Sequence, residues 1–248
     1  MRRLSGWMGL LLLLIAAQTF AGQFEQGVTA ARKGDYATAL KLWRPLANHG
    51  NVRAQFNLGL MYHRGMGVPK NDRETAKWWR KAAKRGYATA QTNLGNMYQF
   101  GLGVPKNYKE AAKWYRYAAR KGDVKAQYNL GFMFLKGIGV ALDNHKAMHW
   151  FRRAADRGDA NARFYLGFMY EQGQGVKADS VAAFALYSLN TTQGHAQRNL
   201  ASLYRDRLIN TLSVTAIKQG QALTQKLLRS KPMTKALDAY LVKTRRRN

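Results

Sequence analysis

The chain has 248 residues, 41 Lys and Arg against 13 Asp and Glu, and no cysteine. A net charge of +28 says nothing about fold, but it makes acidic proteins, anionic lipid or envelope polyanions, and nucleic acid the partners to consider. The missing cysteine excludes a disulfide framework and a lipid-modified cysteine, so the chain must hold itself together by packing.

The first element reads as an export leader. Arg2 and Arg3 precede an apolar run from Leu10 to Ala17, and Thr19-Phe20-Ala21 offers small residues to a signal peptidase. The run is short for a bilayer span, so cleavage between Ala21 and Gly22 is expected, with an uncleaved anchor as the alternative. The expected compartment is a bacterial periplasm, which removes nucleic acid from the expected partners. Residues 22–34 follow, where Phe24 to Lys33 predicts a helix that caps the apolar edge of the next segment.

That segment is periodic. Leu58-Gly59, Leu94-Gly95, Leu130-Gly131 and Leu166-Gly167 recur every 36 residues, as do Gly50, Gly86, Gly122 and Gly158. Gly65, Gly101, Gly137 and Gly173 form a third column, each followed two residues later by another glycine and then by Val68, Val104, Val140 or Val176. Units of this size cannot bury an apolar face alone and must stack. Four clear units start at residues 35, 72, 108 and 144, and a degenerate fifth starts at 180, within an array of 35–204.

One unit shows the logic. Asn71 predicts a helix N-cap, with Glu74 placed to reach back in a capping box. Thr75, Trp79, Ala82 and Ala83 share one helical face, and Gly86 closes the helix. A second helix from about Ala88 to Phe100 carries Ala90, Leu94, Met97 and Tyr98 on its apolar stripe. Gly95 in its middle costs about 1 kcal/mol against alanine. Close approach of the paired helix is the expected reason. Val104 is expected to plug the gap between units. The fold class that follows is all-α: a solenoid of antiparallel helix pairs with helical caps.

The Ala76 to Ala83 run, Gly86, Ala90, Leu94-Gly95, Tyr98 and Gly101-x-Gly103-Val104 resemble the Sel1-like repeat, a relative of the tetratricopeptide repeat. The resemblance implies a right-handed superhelical array with a long concave surface that holds proteins or peptides. It also implies non-enzymatic function. Exported members resemble neutralising partners of phospholipase effectors delivered by type VI secretion. An envelope scaffold or a regulator of exopolysaccharide or sensor-kinase systems is the alternative within that class. Beyond the array, residues 205–248 predict a C-terminal helical cap from Ser213 to about Leu228, then a short helix after Pro232 and a basic tail.

No catalytic constellation stands out, and no cofactor or metal is expected. Gly101-x-Gly103 follows a helix rather than a strand and recurs in every unit, so it reads as a turn. His145 and His149 stand four apart without an evident third ligand. The columns that suggest function are basic: Arg44, Arg80, Arg116 and Arg152, with Lys77 and Lys113 three residues earlier and Lys84 and Arg120 four residues later. These positions share one side of each first helix, and the acids that would balance them are not evident. The expected partner is an acidic protein surface met by Arg forks, with anionic-membrane or polyanion contact as the alternative. Trp78, Trp79, Trp114, Tyr115, Trp150 and Phe151 read as core rather than as ligand-stacking rings. Tyr87, Phe100 and Tyr117 break their columns and are candidates for a partner surface.

Overall fold

The computed structural model describes residues 22–191 and 200–245. The leader through Ala21, residues 192–199 of the degenerate fifth unit and the last three residues lie outside the described residues. Among the described residues the chain is all helix, without strands, and no helix is long and apolar enough to cross a membrane. It divides into two compact units, Met1–Trp114 and Tyr115–Asn248, with the division inside one helix.

The first unit contains α1 (residues 22–32), α2 (Tyr36–Asn48), α3 (Val52–Arg64), α4 (Asp72–Lys84), α5 (Ala88–Phe100) and the start of α6 (Tyr108–Arg120). Helix starts follow the expected chemistry: Asp35, Asn51 and Asn71 each accept the backbone N–H three residues on. The capping box is only half made. Asn71 caps Glu74, but the Asn71 N–H donates to the Tyr62 carbonyl of the previous helix at 3.0 Å. Glu74 turns outward instead and accepts from Lys77 at 2.9 Å and from the Trp78 indole at 3.1 Å. The cap residue therefore ties the loop back to α3, and its acid serves the helix surface.

The mid-helix glycine has a different neighbour from the one expected. A Cβ on Gly59 of α3 would stand 2.3 Å from the Trp79 ring of α4, and one on Gly27 of α1 would stand 2.4 Å from Trp43 of α2. Each glycine thus admits an aromatic from the first helix of the next unit, not from the helix before it in its own unit. The indoles are anchored by donation to a carbonyl across the gap, Trp43 to Phe24 at 3.2 Å and Trp79 to Phe56 at 3.1 Å. A second fastening crosses the short inter-helix turn: Gln55 donates to Ala47 and Gln91 to Ala83, both at 3.0 Å. Val68 and Val104 pack against the buried clusters of their repeats. Gly103 has φ +65°, and a Cβ there would fall 2.1 Å from the Asp72 carbonyl oxygen, so the loop glycine is demanded by backbone sign and by space.

The second unit holds the rest of α6, then α7 (Val124–Lys136), α8 (Asn144–Asp156), α9 (Ala160–Gln172), α10 (Ser180–Thr191), α11 (Leu200–Ile209), α12 (Val214–Arg229) and α13 (Met233–Arg245). The same rule operates: Gly131 admits Phe151, and Gly167 admits Tyr187. Tyr115, Phe151 and Tyr187 are fully buried. Burial pushes Tyr128 up to about 12, where it packs with Phe132, Phe151 and Tyr165 in an aromatic cluster. The C-terminal helices do more than end the array. α12 lies on α10, where Gly220 meets Phe184 and Thr224 bonds the Ala185 carbonyl. α13 turns back onto α12 and reaches α8.

Candidate partner-binding face

The basic columns lie on the first helices of the repeats, and their surroundings differ from helix to helix. In the first unit, the exposed Arg44 donates to the Tyr62 hydroxyl at 3.2 Å. Half-buried Arg80 donates to the Tyr98 hydroxyl at 3.0 Å, its guanidinium 5.8 Å from the centre of that ring. Arg80 is thus not the wholly solvated side chain that the column alone suggests. The hydroxyl fixes its fork while leaving the positive charge unneutralised. Among the described residues no acid forms an ion pair with Arg44, Arg80 or Lys84, and Lys84 is exposed.

The balancing acids are partly present after all. Lys77 pairs with Glu74 at 2.9 Å and Lys113 with Glu110 at 3.2 Å, both within one helix turn. The acids that serve as first-turn residues of α4 and α6 therefore neutralise Lys77 and Lys113, and on α4 they leave Arg80 and Lys84 without an ion pair. Exposed pairs of this kind contribute little stability. Arg116 and Arg120 of α6 are exposed, and at the position equivalent to Tyr62 and Tyr98 stands Phe134, which has no hydroxyl to offer.

Arg152 in the second unit is claimed from within the chain. Asp238 of α13 accepts from it at 2.5 Å, and the Tyr170 hydroxyl is its second partner. Burial alone would lower the Arg152 pKa; the hydrogen bond and charge of Asp238 outweigh it and raise it. One turn on, Asp156 accepts both the N–H of Thr234 at 2.9 Å and its hydroxyl at 2.7 Å. Nothing in the column spacing pointed to Asp238. The available signal was the acid at Asp156, where the equivalent positions are Asn48, Lys84 and Arg120.

The aromatic candidates separate. Tyr87 tilts against Phe56 with ring centroids 5.0 Å apart and packs on a buried cluster, so it belongs to the core's edge rather than to a free surface. Phe100 is 64% exposed and lines a cleft of about 400 Å³ with Leu60, His63, Arg64 and Leu102, and none of the column arginines lines that cleft. Tyr117 is also exposed. Trp78, Trp79, Trp114, Tyr115 and Phe151 are all buried, which removes the ligand-stacking reading for them. His149 sits edge-on to Trp150 at 5.0 Å, and among the described residues no group of three potential metal ligands forms.

The comparisons agree with this architecture. The Sel1 repeat model matches residues 15–51, 52–87, 88–123, 124–159 and 160–195. Its phase joins each second helix to the first helix of the next unit, the same pairing that the glycine–aromatic contacts make. The chain resembles c5321, a protective antigen present in uropathogenic Escherichia coli strains displaying an SLR fold. The two are 34% identical with a TM-score of 0.75, over 88% of this chain and 47% of that one. It spans about half the length of that relative. A Sel1 repeat protein from Oxalobacter formigenes is 31% identical with a TM-score of 0.67, over 79% of this chain and 88% of that one. No curated protein matches the chain. With five repeats matched and solved relatives above 30% identity, the chain belongs to the Sel1 repeat family, whose members are generally protein-interaction modules.

Proposed function

We propose that this chain is a non-enzymatic protein-binding module whose partner presents an acidic surface to the first helices of the repeats. The observation that carries the reading is Arg80, oriented by the Tyr98 hydroxyl with no acid paired to it, in a chain of net charge +28. A fixed guanidinium loses less freedom on binding a carboxylate than a waving one does, and a net positive field speeds encounter with an acidic protein. Export and cleavage at Ala21-Gly22 belong to the same proposal and rest on the leader pattern. In its sharpest form, for which the leader pattern and the likeness of exported repeat proteins to such neutralising partners are the motive, the module neutralises a phospholipase effector delivered by type VI secretion.

The test is capture from periplasmic extract with the wild-type chain and with Arg44→Glu/Arg80→Glu, beside a control of equal charge change, Lys226→Glu/Lys243→Glu. Loss of the captured partner in the first variant alone supports the reading. Equal loss in both would leave only a generally cationic protein. Capture that collapses between low and moderate salt favours polyanion or anionic-surface binding. Recovery of the uncleaved chain in cytoplasm would end the export proposal.

A further inference from the structure

The contact between α13 and α8 is an acid-bearing helix lying on a first-helix face of this same array. Two pairs define its geometry: Asp238 with Arg152, and Thr234 with Asp156. The partners are four residues apart on each helix and run in opposite order, so α13 lies antiparallel to α8 in that contact. Arg152 with Tyr170 is the fourth-repeat counterpart of Arg80 with Tyr98, since each tyrosine stands 18 residues after its arginine. The internal helix therefore shows what an Arg–Tyr pair on this face accepts.

What distinguishes α4 from α8 is the next position along. Asp156 selects a hydroxyl and N–H from α13, whereas Lys84 stands in its place on α4. Thr234 is addressed to Asp156 and offers nothing that would neutralise Lys84. Resting on the acidic-partner reading, we propose that α4 takes an antiparallel helical segment with two carboxylates four residues apart, the first in sequence on Lys84 and the second on Arg80. The Asp238 contact supplies the template, and the Lys84-for-Asp156 exchange converts a Thr-x-x-x-Asp ligand into an acid-x-x-x-acid one. A second copy of α13 is the wrong ligand for α4, because it carries Thr234 at the deciding position.

The experiment uses the full chain and two fluorescent alanine-based helical peptides of identical composition, one with glutamates four residues apart and one with them two apart. The first is expected to bind about tenfold more tightly, because only it can place both carboxylates on one helix face. Arg80→Gln/Lys84→Gln should remove that preference while retaining the wild-type circular dichroism and melting temperature. Lys226→Gln/Lys243→Gln should keep it. Equal binding of the two peptides, no binding of either, or a preference that survives in Arg80→Gln/Lys84→Gln would overturn the inference. If the peptides bind alike while Arg44→Glu/Arg80→Glu still loses the captured partner, the helix geometry falls and the acidic-partner reading stands.

Discussion

Helices α4 and α8 occupy equivalent places in their repeats and have inner faces of the same kind, yet their outer faces have different fates. Inside, Trp79 and Phe151 fill the space left by Gly59 and Gly131 of the preceding helix. Outside, Arg80 is held by a hydroxyl alone, while Arg152 is held by a hydroxyl and a carboxylate. Repeat periodicity governs the half of each helix that stacks. The other half is governed by whatever else the chain brings to it.

The largest effect expected from this comparison lies in the shared half. Trp79→Ala and Phe151→Ala should each cost about 3–5 kcal/mol in denaturant unfolding, with similar losses because both rings are buried in the same kind of slot. A small loss at one of them would break the equivalence of the two repeats. Next come Gly59→Ala and Gly131→Ala. Alanine gains about 1 kcal/mol of helix propensity, but a Cβ 2.3 Å from Trp79 or 2.8 Å from Phe151 forces the ring to move. The net expectation is destabilisation of roughly 1–3 kcal/mol by thermal melting. Stabilisation would mean that the ring has room to yield.

The outer half separates the helices at smaller magnitude. Arg152→Ala should cost up to about 1 kcal/mol and lower hydrogen-exchange protection in α13, since it removes the partner of Asp238. Arg80→Ala should leave α13 protection unchanged. Equal loss of protection in α13 from both would deny that its docking is addressed to Arg152. Smallest is a pH effect in α8, where His149 stands in the column that holds Lys113 in α6. Burial first, and then repulsion from Arg153, lowers its pKa from 6.5. The unfolded chain therefore takes up this proton first, so the contribution is complete above 6.5 and fades as pH falls toward the lowered folded value. A proton NMR titration that places His149 at or above 6.5 would contradict the assignment.

Much of the fold was legible because its signals are local or periodic. The cap at Asn71, the left-handed glycine at Gly86 and the buried Trp79 column each depend on near neighbours or on a fixed repeat. The site was legible only as a list of charges. Spacing placed Lys77 and Arg80 on one side of α4, but it did not show that Glu74 cancels the lysine and leaves the arginine uncancelled.

By itself the sequence determined the repeat period, the helix boundaries and the aromatic core, because a stacked array writes each of these into residues that recur. It also determined the excess of positive charge. Only the tertiary structure decided which helix each glycine admits, that Tyr87 packs inward, and that α13 spends Asp238 on Arg152. A recurring column names the residues but not the neighbouring helix they meet, which settles the glycines and Tyr87 only in space, and Asp238 and Arg152 lie 86 residues apart, where no period carries the information.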